Sequence, residues 1–128
     1  MATNNTKSPE KDIVSFNQAL ELCSIGYDEP TFCMYEIENR QLCLCHIDEE
    51  GLYMPDKDLH APTKSQVFRW FREKYGLITS IRHNKFPDMS GKQYYFEYEY
   101  KNSYERYITY EEAENACIDK LIEIAKQK

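Results

Sequence analysis

The segment from Pro62 to Gly76, PTKSQVFRWFREKYG, constrains the fold most, because both of its ends are specified. Thr63 is a favourable N-cap, and Gln66, three residues later, completes a capping box. Gly76 suits the left-handed conformation in which many helices end. At 100° per residue the apolar positions between these ends share one arc, namely Val67, Phe68, Trp70, Phe71 and Tyr75. The segment therefore predicts an amphipathic helix that covers a core, and it carries no pattern typical of catalysis.

Two further helices are predicted by the same start signal. Ser15 with Gln18 opens the first, and Thr109 with Glu112 opens the last. Apolar residues recur at helical spacing after each cap, over residues 16–25 and 110–126.

Between these helices the hydrophobic period changes to two, which is typical of strands. The predicted strands are Thr31–Ile37, Gln41–His46, Leu77–Lys85, Gln93–Tyr100 and a short fifth one, Tyr104–Ile108. Residues 48–61 are acidic and lack a clear period, so they are predicted to form a loop. Tight turns between neighbouring strands favour antiparallel pairing. We therefore expect an α+β fold in the order α-β-β-α-β-β-(β)-α, with one antiparallel sheet of four or five strands and three helices packed on it.

A chain of 128 residues fits one domain, predicted over residues 13–128. Residues 1–12 are polar and include Pro9, so a disordered tail is expected there. No apolar run approaches the roughly 20 residues of a membrane span, and the first residues lack the apolar core of a signal peptide. With five cysteines, an odd number, reduced thiols and a cytoplasmic location are the expectation.

Charge is distributed unevenly along the chain. The net charge is −6, which argues against general binding to nucleic acid. Residues 62–92 nevertheless hold seven basic and two acidic residues. The candidate nucleic-acid-binding side chains in this stretch are Arg69, Arg72, Arg82, Lys85 and Lys92. A solvated helix face followed by a basic strand is the simpler interpretation, and convergence of the five on one surface would decide between them.

The string CLCH, at residues 43–46, is the first candidate metal site. Cys43 and Cys45 would point to the same face of a strand. Cys33, on the partner strand, would lie opposite Cys45 if the turn at residues 38–40 has three residues, or opposite Leu44 if it has two. Structural zinc sites have two well-spaced ligand pairs, whereas this string has one cramped pair. Buried reduced thiols are therefore the simpler interpretation.

Asp56, Asp58 and His60 form a second candidate, because alternate residues of an extended chain face one way. An acidic surface loop produces the same string, so neither a metal nor another cofactor is expected. The chain also lacks GxGxxG, P-loop and GxSxG patterns, and we assign no catalytic residue.

Tyrosines are abundant, and seven of the eleven lie between Tyr94 and Tyr110. An aromatic strand face can stack nucleic-acid bases. Glu97 and Glu99 in the same strand would repel phosphate, so packing in the sheet and core is the better explanation.

Three segments resemble small uncharacterised proteins that prophages and other mobile elements of gut-dwelling bacteria encode. They are VSFNQALELCSIGYDEP at 14–30, PTKSQVFRWFREKYG at 62–76 and YITYEEAENACIDKLIEI at 107–124. The resemblance implies an accessory role inside a bacterial or phage-infected cell, and it carries over no binding or catalytic residue.

These observations favour a non-catalytic interaction module that binds an unidentified protein or a second copy of itself. The first alternative is a nucleic-acid-binding protein that uses the basic residues of 64–92, and the second is a small metal-dependent enzyme. No membrane partner is expected.

Overall fold

The computed structural model describes residues 9–44, 46–48, 51–53, 59–86, 89–99 and 101–128. Within these ranges three helices are present: α1 (Phe16–Ser24), α2 (Lys64–Tyr75) and α3 (Tyr110–Lys126). The strands there are β1 (Cys33–Tyr35), β2 (Leu42–Leu44), β3 (His46–Asp48), β4 (Gly51–Tyr53), β5 (Leu59–Ala61), β6 (Thr79–His83), β7 (Tyr94–Tyr98) and β8 (Lys101–Asn102). The α+β class with three helices is thus confirmed.

The chain divides into two compact units, Met1–Gln66 and Val67–Lys128, called unit 1 and unit 2 below. The expectation of a single domain over residues 13–128 stays a prediction. Of the expected N-terminal tail, Pro9–Asp12 form a short 3-10 helix and residues 1–8 lie outside the described residues.

The predicted caps form as hydrogen bonds. In α1 the Ser15 hydroxyl accepts from the Gln18 amide at 3.1 Å, and the Gln18 side chain accepts from the Ser15 amide at 2.9 Å. Thr63 and Gln66 make the same two bonds, at 3.1 and 2.9 Å. Each box therefore satisfies two amides that the first helical turn leaves without an intrahelical partner.

The third cap differs in one bond. Thr109 accepts from the Glu112 amide at 3.1 Å, but the Glu112 carboxylate accepts from the Thr109 hydroxyl and not from its amide. The helix still begins at the predicted residue, because the bond to the orphan amide is the one that caps it.

Glycines end α1 and α2, and the one after α2 was predicted. Gly26 and Gly76 have φ angles of 95° and 69°, in the region that side chains disfavour. After α1, the Gly26 amide bonds Cys23 O at 3.1 Å and the Tyr27 amide bonds Leu22 O at 2.9 Å, which is a Schellman motif.

In unit 1, β1 lies between β2 and β5, and both pairs are antiparallel. Cys33 lies opposite Leu44, which decides the hairpin register that the sequence left open. The prediction that residues 48–61 form a loop is wrong for β4, which pairs with β3, and for β5, since Leu59 and Ala61 are buried at the edge of β1. Three residues are too few to show a period of two.

In unit 2, β6, β7 and β8 form an antiparallel sheet in that order, and α3 lies against β7 and β6. Phe96 is buried on the covered face, and Tyr94 meets Tyr110 of α3 edge-on at 6.1 Å. The buried positions of α3 are Ala113, Cys117, Ile118, Leu121, Ile122 and Ala125.

The expectation of one sheet with four or five strands is wrong. The described strands form two three-stranded sheets and the separate pair β3–β4. The cause in unit 1 is β5, which occupies the second edge of β1. In unit 2, β7 turns back at once into β8, and Tyr107 of the expected fifth strand makes only an isolated bridge to Tyr94.

The turn between β7 and β8 offers a test of this topology. Tyr98 pairs with Lys101, so Glu99 is the first residue of a two-residue loop, and its φ is 47°. Such loops favour Asn or Gly, because the left-handed region costs other residues roughly 1–2 kcal/mol. We predict that Glu99→Asn raises the free energy of unfolding by about 1 kcal/mol. Urea denaturation measures this change. Glu105→Asn is the control, because the φ of Glu105 is not positive. Equal stabilisation by both variants would contradict the left-handed turn conformation at Glu99.

Candidate functional site

One edge of β6 is open with respect to the residues that the structure describes. Among the described strands, β6 pairs only with β7. The backbones of Tyr94 and Phe96 in β7 bond on the far side, where Tyr107 N–H donates to Tyr94 O at 2.7 Å and Ser103 N–H donates to Phe96 O at 2.8 Å. Because bonding alternates along an antiparallel strand, Tyr95 and Glu97 are the residues whose backbones turn toward β6.

The bonding pattern of β6 follows from this alternation. Ser80 lies opposite Glu97 and Arg82 opposite Tyr95, so these two residues make the ladder bonds to β7. Thr79, Ile81 and His83 therefore direct their amide and carbonyl groups away from β7, to the open edge. The edge presents three donors and three acceptors arranged for another strand.

A groove of about 670 Å³ is bounded by residues of β6, of β7 and of the segment that leads into β6. It is lined by Gly76, Ile78, Thr79, Ser80, Arg82, Glu97 and Glu99. Ile78 is 65 % exposed at one end of the groove, whereas the other lining side chains are mainly polar. The groove thus combines one apolar contact with hydroxyl, carboxylate and guanidinium groups.

Arg82 is held on its own sheet by Glu97. Its Nε lies 2.7 Å from Glu97 Oε1, and the Ser80 hydroxyl donates to the same oxygen at 3.2 Å. The hydrogen bond from Arg82 lowers the pKa of the Glu97 carboxyl, and the same bond raises the pKa of Arg82. Since Glu97 lies on β7, the guanidinium is drawn away from the open edge of β6.

The tyrosines of β7 are divided between the two faces of the sheet. Tyr94 contacts α3, and Lys120 of α3 lies 5.7 Å from the ring of Tyr98. Tyr95 lies on the opposite face, where the guanidinium of Arg106 is 5.2 Å from its ring centre. Packing therefore accounts for most of this strand's aromatic surface, as the sequence suggested.

The predicted basic residues lie in a helix, a strand and a connecting segment. Arg69 and Arg72 are exposed on α2, Arg82 is on β6, and Lys85 and Lys92 are exposed in the connection between β6 and β7. Of these cations, Arg82 already bonds a carboxylate. Convergence of all five on one surface stays a prediction.

The structure brings Cys43 and His60, from the two candidate metal sites, to one sheet face. Both lie opposite Met34, on strands that flank β1. Their side chains point toward opposite ends of β1. The Cys43 thiol is 3.8 Å from Glu36, which follows Met34 in the chain, whereas His60 Nδ1 is 3.2 Å from Thr31, which precedes Met34.

Hydrogen bonding also fixes the form of His60. The Thr31 hydroxyl donates to Cys33 O at 2.7 Å, so its oxygen accepts the bond from His60 Nδ1–H. Burial lowers the pKa of His60, and the nearby Asp28 opposes this shift. Burial therefore favours the neutral imidazole, while the bond to Thr31 places a hydrogen on Nδ1.

The remaining metal candidates, Cys45, Asp56 and Asp58, lie outside the described residues. Within the described part of the chain, no group of three or more His, Cys, Asp or Glu side chains gathers to hold a metal ion. Among the helices described, none has the length and apolar character needed to cross a bilayer.

No protein-family model, curated protein or solved structure matches the chain. The resemblance to proteins of prophages and mobile elements therefore stays a prediction, as does the cytoplasmic location.

Sequence reasoning singled out Arg82 but missed the groove around it. The sequence LITSIRH carried a weak signal, because strand alternation puts Ile78, Ser80 and Arg82 on one face. No sequence signal marked the open edge, because the position of a strand at the edge of a sheet depends on distant parts of the chain.

The ion pair makes a prediction about titration. Replacing Arg82 by Gln removes the main cause of the lowered Glu97 pKa, so that pKa should rise toward the ordinary glutamate value. A carboxyl whose pKa is depressed by folding stabilises the fold above its unfolded pKa. That stabilisation disappears as the pH falls through the folded-state pKa. Carboxyl ¹³C NMR titration reads the shift. Arg72→Gln, which removes an exposed cation of α2, should leave Glu97 unchanged, and an equal rise there would refute the pairing.

The cysteines make a second prediction. Burial raises the pKa of Cys117 to about 12, whereas Cys23 is exposed. At pH 8 in the native protein, iodoacetamide should label Cys23 and leave Cys117 unmodified until denaturant is added. Peptide mass spectrometry follows both sites in one sample. Labelling of Cys117 at the rate of Cys23 would show that α3 does not bury it.

Proposed function

We propose that this protein is a non-catalytic interaction module, and that it binds an extended protein segment by strand addition at β6. The observation that supports this proposal most is the open edge, where Thr79, Ile81 and His83 offer backbone donors and acceptors. In strand addition these groups supply affinity, and neighbouring pockets select side chains. The groove with Ile78 is such a neighbouring pocket.

The residues of β6 leave the edge accessible. Proteins commonly protect an edge strand with Lys, Pro or a bulge, which prevent another strand from pairing with it. Thr79–His83 contains neither Lys nor Pro, and its pairing with β7 is continuous over all five residues. Its one fixed charge, Arg82, is drawn toward β7 by Glu97.

The groove also restricts the chemistry of the bound segment. Glu97 and Glu99 line it, and their carboxylates would repel a phosphate backbone. A peptide avoids this repulsion and can place an apolar side chain against Ile78. Protein is therefore the proposed ligand at this groove.

Nucleic acid binding is the alternative, supported by the exposure of Arg69, Arg72, Lys85 and Lys92. It would use a surface other than the groove, and binding would weaken steeply as salt rises. The metal-dependent enzyme has less support, because Cys43 and His60 lean apart. An accessory role in the cytoplasm of a bacterium belongs to the proposal and rests on the resemblance of three segments to prophage proteins.

Selection from a displayed library of random 12-residue peptides tests the proposal. Selected peptides should shift the amide NMR signals of Thr79, Ile81 and His83 more than those of the flanking α2 and α3. His83→Pro should lower their affinity at least tenfold, because it deletes an outward amide without removing a ladder bond to β7. His83→Ala is the matched control, since it also removes the ring and keeps the amide.

Two results would overturn strand addition at β6. One is selection of peptides that shift signals elsewhere, and the other is equal affinity of His83→Pro and His83→Ala.

Titration with a 20-nucleotide single strand and a 20-base-pair duplex at two salt concentrations tests the alternative. Tight, salt-dependent binding that is lost in an Arg69→Ala/Arg72→Ala variant would favour it.

A further inference from the structure

We infer that the segment added to β6 is β6 of a second copy of this chain, which gives a two-fold symmetric dimer with a continuous six-stranded sheet. The inference rests on the proposed function, because it uses the same open edge. It goes further by naming the occupant and the register.

The register follows from the outward groups of β6. Two antiparallel strands can share bonds along this edge only when odd-numbered residues face odd-numbered residues, since Thr79, Ile81 and His83 point outward. A pair centred on Ile81 sets Ile81 opposite Ile81 and Thr79 opposite His83. All outward residues of both strands then take part.

The neighbouring registers are poorer. A pair centred on Arg82 would set two guanidinium groups directly opposite each other, which is destabilising. A pair centred on Ser80 would leave His83 facing Leu77, outside the strand, so one outward residue of each copy loses its partner within β6. Of these three registers, the one centred on Ile81 satisfies both hydrogen bonding and charge.

Side chains on both faces suit that register. On the groove face, Arg82 would lie opposite the second copy's Ser80, whose hydroxyl already bonds Glu97 of its own chain. Each Arg82 keeps its own Glu97 as counter-charge, which moderates the repulsion between the two arginines. On the other face two β-branched isoleucines would meet, a favourable cross-strand pair.

The strands are short, so the dimer should be weak. Five residues from each copy form a small contact, and interfaces that bury little surface are typical of weak assemblies. We therefore expect a monomer–dimer equilibrium that depends on concentration. Sedimentation velocity over a hundredfold range of protein concentration measures it directly.

Charge variants at Ser80 separate pairing from folding. Ser80→Arg places a cation opposite the second copy's Arg82, and it should weaken the dimer about two- to thirtyfold through its two symmetric pairs. Ser80→Glu places an anion there and should strengthen the dimer by a similar factor. Within one chain the effects are reversed, because position 80 lies opposite Glu97: Arg should favour the fold and Glu should disfavour it. Chemical denaturation of the dilute monomer tests that reversal.

The outcomes divide clearly. The inference is supported if His83→Pro abolishes dimerisation, His83→Ala retains it, and the two Ser80 variants change the strength of the dimer in the stated directions. A protein that stays monomeric while selected peptides still bind β6 overturns the second copy as occupant and leaves the proposed function standing. A dimer indifferent to these four variants places self-association elsewhere and also overturns it. Failure of both dimerisation and peptide binding removes the inference and the proposed function together.

Discussion

The burial of α3 against one face of β6 and β7 decides which surface of unit 2 is left for binding. Ile118, Leu121 and Ile122 are buried in α3, and burying each such side chain contributes about 1.5–3 kcal/mol. Phe96 is buried on the face of β7 that meets the helix. Since that face is used for packing, the opposite face and the open edge of β6 are what the sheet can offer to a partner.

The same principle explains why the described cysteine and histidine side chains of unit 1 do not gather into a metal site. Cys33 packs with Ile13 and Ala61, so its thiol behaves as a small apolar group. His60 is bonded to Thr31, and Cys43 lies beside Glu36. Packing and short-range hydrogen bonds account for each of these side chains.

The helices could be predicted from sequence because their determinants are local. The capping residues lie three positions apart, and the predicted bounds of the last helix, 110–126, agree with α3. Strand pairing was harder, since β5 has only three residues and its partner β1 lies more than twenty residues earlier. The register of the β1–β2 hairpin depends on Arg40, which adopts a φ of 58° although arginine does not signal that conformation. Likewise, charge singled out Arg82, but its pairing with Glu97 needs the β6–β7 register. The candidate site was therefore visible as single residues and not as an edge.

Site-resolved amide hydrogen exchange of β6 tests the central claim most directly, at a protein concentration low enough to keep the chain monomeric. The amides of Ser80 and Arg82 should exchange slowly, because they bond to β7. Those of Thr79, Ile81 and His83 should exchange quickly, because they face the open edge. Uniformly slow exchange of all five amides in the monomer would contradict the account, since it would mean that another segment of the same chain already pairs with this edge.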